Sequence, residues 1–561
     1  MKRPLAFAFL LVSAAALTRE SRAQAPVNVA NPHDTTKRSS SEAGVPAQQT
    51  APGTAAPGSL ATGSWPTYNG DLTGRRFSPL TRINTHTVDR LQLAWTYRIE
   101  TTTGGGKRIS ATPLEVDGVL YFTVPSHVWA VDARTGVKIW QFDWRSKGGE
   151  TIGNRGAAIL GKTLYFETED CYLVAIDTTT GKEKWHSEIG ESGNRDKFNF
   201  GSVPPTIVKN HVMVGISGDD FDVPGYVEAH DPETGTLQWR WYTHPEPGTP
   251  EAKTWPNDEA MLHGGGMTWI PGTYDPELNL YYFGTGNAQP VINGSARPGA
   301  NLYTSTICAL NPDTGKLVWY FQPNPHDTHD WDAVQTPVLI DAEIHGQRRK
   351  LLAQASRNGW YFLVDRTNGK ALLSTPYTHQ NWTLGIDDKG SPIPNPEKMA
   401  KPNGVLVSPN QSGAANWFPP SFNPSTGLFY VAASDAYSVY YIYDNHKKPE
   451  GWAGNDRGGY ARFSLRALDY KTGKVRWNHE WPSGSARSGI LTTAGGVLLT
   501  GDTVSSLVAF NAVTGSILWH AGLGNQVTNG PITYMLDGQQ YIVAAAGDTL
   551  YGFVLPSEIK Q

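Results

Sequence analysis

Ala175-Ile176-Asp177-Thr178-Thr179-Thr180-Gly181-Lys182-Glu183-Lys184-Trp185 carries the pattern that decides the fold. It consists of a small residue, an apolar one, an acid or amide, a short turn closing on Thr-Gly, and a tryptophan four residues later. The same pattern runs as Ala130-Val131-Asp132 with Thr135-Gly136 and Trp140, then as Ala229-His230-Asp231 with Gly235 and Trp239. Further copies are Ala309-Leu310-Asn311 with Gly315 and Trp319, Ala467-Leu468-Asp469 with Gly473 and Trp477, and Ala509-Phe510-Asn511 with Gly515 and Trp519. Val364-Asp365-Arg366 with Gly369 is a decayed version. Each copy reads as a hairpin: a strand ends at Asp or Asn, whose side chain bonds the turn's own backbone, Gly supplies positive φ, and the next strand delivers Trp to a neighbouring sheet. Units repeated at this spacing bury their faces against one another, which is the logic of a β-propeller.

Working outward, seven motif copies and one blade shared by the chain ends make an all-β, eight-bladed propeller. Leu91-Gln92-Leu93-Ala94-Trp95-Thr96-Tyr97 and Gln540-Tyr541-Ile542-Val543-Ala544-Ala545 are the expected closing strands. The composition agrees: 17% charged residues with 19 Trp, 24 Tyr, 59 Gly and 39 Pro is rich in strand and turn formers. The net charge is −4, and a leader with four basic residues and one acid contributes +3 of it. The rest of the chain therefore carries about −7 with no basic run, which argues against nucleic acid and anionic membranes and suits a small basic partner protein.

The amino terminus reads as a cleaved secretory signal over residues 1–25: Lys2-Arg3, an apolar run from Pro4 to Leu17, and a small-residue site at Ala23-Gln24-Ala25. The run is shorter than a bilayer-spanning helix requires, and no later stretch suffices either. A periplasmic or secreted location follows. Residues 26–63 are Pro, Ala, Thr and Ser with almost no large apolar side chain, the composition of a disordered arm, and 64–561 form the propeller as one domain. The two cysteines, Cys171 and Cys308, each fall in an apolar strand ahead of a motif copy and read as buried free thiols, with a long-range disulfide as the alternative.

Several blocks, in order, resemble the PQQ-dependent (quinoprotein) alcohol dehydrogenases, eight-bladed propellers that hold pyrroloquinoline quinone (PQQ) and calcium on the axis. They are Arg75-Arg76-Phe77-Ser78-Pro79-Leu80, Asn154-Arg155-Gly156, Gly284-Thr285-Gly286-Asn287, Pro325-His326-Asp327 and Thr514-Gly515-Ser516-Ile517-Leu518-Trp519. The resemblance implies oxidation of small alcohols to aldehydes, with electrons passed to a soluble cytochrome c. It also implies that Trp269 stacks on the cofactor, and that Arg155 and Arg357 meet its carboxylates. Thr168, Ser217, Gly218, Asn416 and Trp417 would line it, while Asp220 and Asn287 would ligate the calcium.

Five departures from the family pattern fall on the cofactor side. Gly149-Glu150 replaces an adjacent cysteine pair, Ser110 a glutamate, Asp219 a small neutral residue, and Asp220 a longer glutamate. The fifth is Ala300, in Arg297-Pro298-Gly299-Ala300-Asn301, where the family has the aspartate that takes the alcohol's proton. Alanine accepts no proton, and a placed base is worth roughly 10²–10⁴-fold in rate. The resulting expectation is a secreted quinoprotein-dehydrogenase-like propeller with a degraded catalytic site, similar to the branch described as empty quinoproteins. One alternative is an active dehydrogenase with Asp219, Asp220 or Glu150 as displaced base; another is a non-catalytic binding or assembly propeller. The run Pro325-His326-Asp327-Thr328-His329-Asp330-Trp331-Asp332 suggests turns and caps rather than a metal site. Gly284-Thr285-Gly286-Asn287 lacks the third glycine of a dinucleotide fingerprint.

Overall fold

The computed structural model describes residues 63–100, 108–148, 152–190, 199–218, 222–344, 346–443, 451–485 and 488–556. The secretory signal, the arm up to residue 62, Gly149-Glu150, Asp219 and Asp220 lie outside the described residues. Among those described, eight sheets of four or five strands succeed one another along the chain, with one further two-stranded hairpin. The first is an antiparallel meander of Leu114–Val116, Val119–Val124, His127–Asp132 and Lys138–Asp143. The next six occupy 157–188, 206–242, 273–321, 338–376, 405–480 and 491–522.

The eighth sheet is the expected mixed one. Ile532–Leu536, Gln539–Ala546 and Thr549–Val554 form its meander, and Gln92–Arg98 adds antiparallel to its last edge. The amino-terminal strand thus pairs with Thr549–Val554 and not with 540–545, because the turn at Gly547-Asp548 has already joined those two carboxy-terminal strands as a hairpin. Third strands such as Tyr172–Asp177 are buried along most of their length, whereas last strands such as Glu183–Glu188 and Val475–Glu480 alternate with solvent.

The recurrent turn explains how neighbouring sheets engage. Asp177 Oδ1 accepts from the amides of Thr179 (3.1 Å) and Thr180 (2.8 Å) and from Thr180 Oγ1 (2.9 Å), while Gly181 N donates to Asp177 O (2.9 Å). The carbonyl of Thr178 is left facing outward, and Trp140 of the preceding sheet donates its indole N–H to it at 2.8 Å. At each of seven junctions the acceptor is the residue just after the Asp or Asn. Trp239 bonds Pro312 O (2.8 Å), Trp319 bonds Arg366 O (2.9 Å) and Trp477 bonds Ala512 O (3.1 Å). Where tryptophan does not reach, tyrosine does: Tyr165 to Pro232 O (2.9 Å), Tyr361 to Tyr470 O (3.0 Å) and Tyr534 to Ala133 O (2.6 Å). The eighth junction has no motif turn and rests on Trp519 edge-on to Phe553, ring centroids 5.3 Å apart.

A second closure was not legible in the motif. Residues 65–85 run as a belt across the leading strands of successive sheets. Trp65 exchanges two backbone bonds with Glu115 of the first sheet (3.1 and 2.9 Å). Leu72 O accepts from Tyr274 N of the fourth, Thr73 O from Leu339 N of the fifth, and Arg75 O from Phe422 N of the sixth, each at 2.8 Å. Phe77–Ser78 joins the seventh as a parallel strand, and Ile83 N reaches Gln540 Oε1 in the eighth. Arg76, fully buried, ties the belt down by donating to the carbonyls of Tyr68, Ile490 and Pro531.

Both cysteines are buried free thiols. Cys308 lies in the strand Ile307–Asn311 as expected. Cys171 does not lie in a strand: it takes φ +62° in the turn between Thr163–Glu167 and Tyr172–Asp177. No helix among the described residues is long and apolar enough to cross a membrane.

Two predictions follow from these contacts. Gly369 has φ +78°, and a Cβ there would stand 2.7 Å from the Trp319 ring, so Gly369→Ala should cost about 2 kcal/mol, read as a lowered urea midpoint. Burial pushes the Glu115 carboxyl up to about 7, against an ordinary 4.5, although Gly118 N bonds it. A folded pKa above the unfolded one means that folding takes up a proton in that window, so the stability Glu115 contributes is present at low pH and lost as pH rises through about 7. Glu115→Gln should therefore be more stable than wild type at pH ~8, with the gap closing by pH ~5, in paired urea melts.

Candidate functional site

The expected site residues occupy two repeat-equivalent places. Arg155 and Trp269 precede the first strands of the second and fourth sheets, and Trp417 precedes the strand Ser421–Asn423 of the sixth; Thr168, Ser217, Asn287 and Arg357 follow the second strands of the second to fifth. In an antiparallel pair, the start of one strand and the end of the next lie at the same end, so all seven belong to one end of the ring. Cross-bonds lace these segments together: Thr268 N to Ile216 O (3.0 Å), Gly286 N to Met267 O (2.8 Å) and Ala333 N to Thr285 O (3.0 Å).

Asp332 is the hub. Its Oδ1 accepts from Asn287 N (2.7 Å), and its Oδ2 from Trp269 Nε1 (3.1 Å) and Arg357 Nη1 (2.7 Å). Arg357 also binds Asp330 Oδ2 through Nη2 (2.7 Å) and the carbonyl of Gln411 (3.0 Å). Burial pushes the Asp332 carboxyl up, opposed by the Arg357 charge; burial lowers Arg357, but the two carboxylates leave it raised. The sequence block containing Asp330 and Asp332 suggested turns and caps, and that holds for Asp327, which accepts from Asn324 Nδ2, His329 N and Trp331 N. Asp330 and Asp332 instead hold the site together. The sequence carried no signal for this, since Asp330 takes φ +64° in an irregular segment.

Arg155 is 3% exposed. Its Nη1 donates to Ser202 Oγ (2.9 Å), which in turn contacts Ser217 Oγ (2.9 Å). Its guanidinium carbon lies 4.8 Å from the Trp269 ring centroid and 4.9 Å from that of Trp417. Its Nε has no partner, and burial pulls its pKa down to about 10. Thr168 turns inward: its hydroxyl donates to Asp170 Oδ1 (2.6 Å) and accepts from Tyr172 N (2.9 Å). Asn416 closes on its own loop, with Nδ2 to Ser412 O (2.8 Å) and Oδ1 from Trp417 N (2.8 Å). Gly218 takes φ +129° at the edge of the described residues. Ser110 reaches this region: a Cβ on Gly153 would stand 3.5 Å from its Oγ.

The segment carrying Ala300 is rigidly held. Its carbonyl accepts from Gln322 Nε2 (2.9 Å) and His326 N (3.2 Å), and Asn301 N bonds Thr254 O (3.1 Å). Buried Arg297 donates to Pro290 O, Val291 O, Asp327 O and Asn301 Oδ1 at 2.6–3.1 Å. Burial, with the Arg297 charge second, lowers His326 to about 4, so that imidazole is neutral.

The donor set suits a cation better than a quinone. Asn287 Oδ1 is buried without a partner, beside an Arg357–Asp330–Asp332 cluster that sums to one negative charge when ionised, an environment that favours a hard cation. Asp220, the other expected ligand, lies outside the described residues, and among those described no three His, Cys, Asp or Glu side chains converge on a metal position. A planar quinone does not fit the side chains as they stand, because the guanidinium of Arg155 lies against the indole on which it would stack.

A family model described as the glucose/ethanol/alcohol dehydrogenase β-propeller domain matches residues 65–378, and one for the outer membrane protein assembly factor BamB matches 461–554. The quinohemoprotein alcohol dehydrogenase of Comamonas testosteroni is 36% identical over 89% of this chain and 75% of its own. The quinoprotein alcohol dehydrogenase PedH of Pseudomonas putida is 36% identical over 84% of both. The crystal structure of the Comamonas enzyme superposes with a TM-score of 0.83 at 33% identity, covering 90% of this chain and 82% of that one. A europium-containing methanol dehydrogenase superposes at 0.78 with 28% identity, covering 88% and 98%. The chain belongs to the PQQ-dependent alcohol dehydrogenase family, and its fold is that family's β-propeller.

Asp332→Asn would weaken the pair with Arg357 while leaving Asp330, so a loss of about 3 kcal/mol is expected in urea unfolding. It should also shift the emission of Trp269, whose indole N–H bonds Asp332. A Trp269→Phe background that abolishes the shift assigns it.

Proposed function

We propose that this chain is a secreted, periplasmic member of the family in which alcohol oxidation at the axial site is impaired. The observation that carries the reading is Ala300: its loop is fully bonded in place, and a methyl group stands where the family's proton acceptor belongs. Asp332, the carboxylate that touches Trp269 and Asn287, is engaged by the Asn287 amide, the Trp269 indole and Arg357, which gives it the role of holding the site together. A base must offer a lone pair within hydrogen-bond reach of the proton it takes. The blocked face of Trp269 supports the same reading. The domain plan remains a signal over 1–25, an arm to 63 and one propeller to 561. Any residual turnover would act on small alcohols with a c-type cytochrome as acceptor; a relative is named 1-butanol dehydrogenase (cytochrome c).

PQQ with Ca²⁺, or with a lanthanide, is added to the purified apo-protein, and an artificial electron acceptor is followed with a series of alcohols. Wild type should give no alcohol-dependent reduction above background, while Ala300→Asp combined with Ser110→Glu should gain it, by about 10²-fold or more if proton transfer is the missing step. Alcohol-dependent turnover by wild type at micromolar PQQ would sink the proposal and favour a displaced base. A parallel melting series reports binding itself, since a ligand of the native state raises stability with concentration.

A further inference from the structure

We propose that Arg155 acts in this chain as an occluder of the axial site, filling the face of Trp269 with its own guanidinium, so that a flat aromatic anion must displace it to stack. This rests on the reading of the axial site given above and names the device that closes it. The guanidinium carbon is 4.8 Å from one indole centroid and 4.9 Å from the other. It therefore lies over the rings of both Trp269 and Trp417. Stacked rings in proteins have centroids roughly 4.5–7 Å apart, so a ring on that face of Trp269 would share the guanidinium's space.

The groups that bond or stack on Arg155 are neutral, Ser202 Oγ at 2.9 Å, Ser202 O at 3.5 Å and the two rings, while the Glu167 carboxyl acts on it only electrostatically. No carboxylate among the described residues pairs with it. An indole face attracts a desolvated guanidinium through its quadrupole, so the buried charge is accommodated without an anionic ligand. The backbone of Arg155 is fixed by Ser202 O and Thr112 N at 3.3 and 3.0 Å, which confines any opening to the side chain. Arg357, the other arginine expected to meet a cofactor, has two carboxylates on its guanidinium and is tied down. Of the two, Arg155 is the side chain able to swing.

The occluding role and a ligating role predict opposite signs. PQQ binding is measured on the purified full chain by quenching of tryptophan fluorescence and by cofactor absorbance, for wild type, Arg155→Ala and Trp417→Ala. Arg155→Ala should bind about tenfold tighter than wild type, as expected when a cation–π contact no longer has to be broken. Trp417→Ala, which removes the outer wall holding the guanidinium, should move affinity the same way. Unchanged or weaker binding by Arg155→Ala overturns the proposal. Should that variant fail to give a cooperative melt, unchanged or weaker binding by Trp417→Ala overturns it instead. Alcohol-dependent turnover by wild type tests the functional reading alone, because affinity and turnover are separate readouts.

Discussion

One backbone carbonyl per repeat, that of the residue after the turn's Asp or Asn, holds this ring together. Inside the turn, the Asp or Asn carbonyl accepts from Gly and its side chain accepts from the next amides. The following carbonyl thus has no partner of its own. A buried unpaired carbonyl is costly, and the indole or phenol of the preceding sheet supplies the donor. The same aromatic ring covers the turn glycine so closely that a Cβ on Gly181 or Gly315 would stand 2.7 or 2.6 Å from it. The acid, the glycine and the aromatic of the motif are therefore one interaction seen from two sheets, which is why they recur together.

From this interaction the position of the site follows. Sheets packed face to face in sequence order bring the segments before first strands and after second strands to one end, where residues distant in sequence meet. The belt of residues 65–85 crosses the leading strands of the same sheets and, through Arg76, joins the first part of the chain to the last two sheets. The aromatic residues that bond the motif carbonyls are different from those that bond or stack on Arg155, Asn287 and Asp332, so the sheet junctions and the site are separate sets of interactions.

That separation explains what could be read from the chain beforehand. The repeat, its hairpins, the mixed eighth sheet and the family were legible because each rests on a local pattern repeated several times. The belt was not, because its contacts are mainly backbone bonds with no residue preference beyond Arg76. Trp269, Asn287, Arg155 and Arg357 were expected by position and lie at one end of the ring, but their partners were not foreseen. Asp332 escaped because an aspartate in a turn-rich run reads as a cap until the fold brings Trp269, Asn287 and Arg357 around it. Cys171 was misplaced because it adjoins the apolar strand Tyr172–Asp177 while closing the polar turn Thr168-Glu169-Asp170, at a positive-φ position usually taken by glycine.

The charges at the axis show how a pocket lined with arginines is held by the protein's own groups. Arg357 is neutralised by two carboxylates, Arg297 is solvated by four protein oxygens, and Arg155 lies over two indole rings. A buried cation left bare would destabilise the ring and make a ligand obligatory for folding. Here each arginine has protein partners, so loss of the proton acceptor at residue 300 carries no structural penalty through them. The Asn287 amide oxygen is a buried acceptor without a partner, and it is suited to a cation rather than to an alcohol's proton. In this site the protein's own carboxylates, carbonyls and indoles meet the electrostatic demands of the buried arginines.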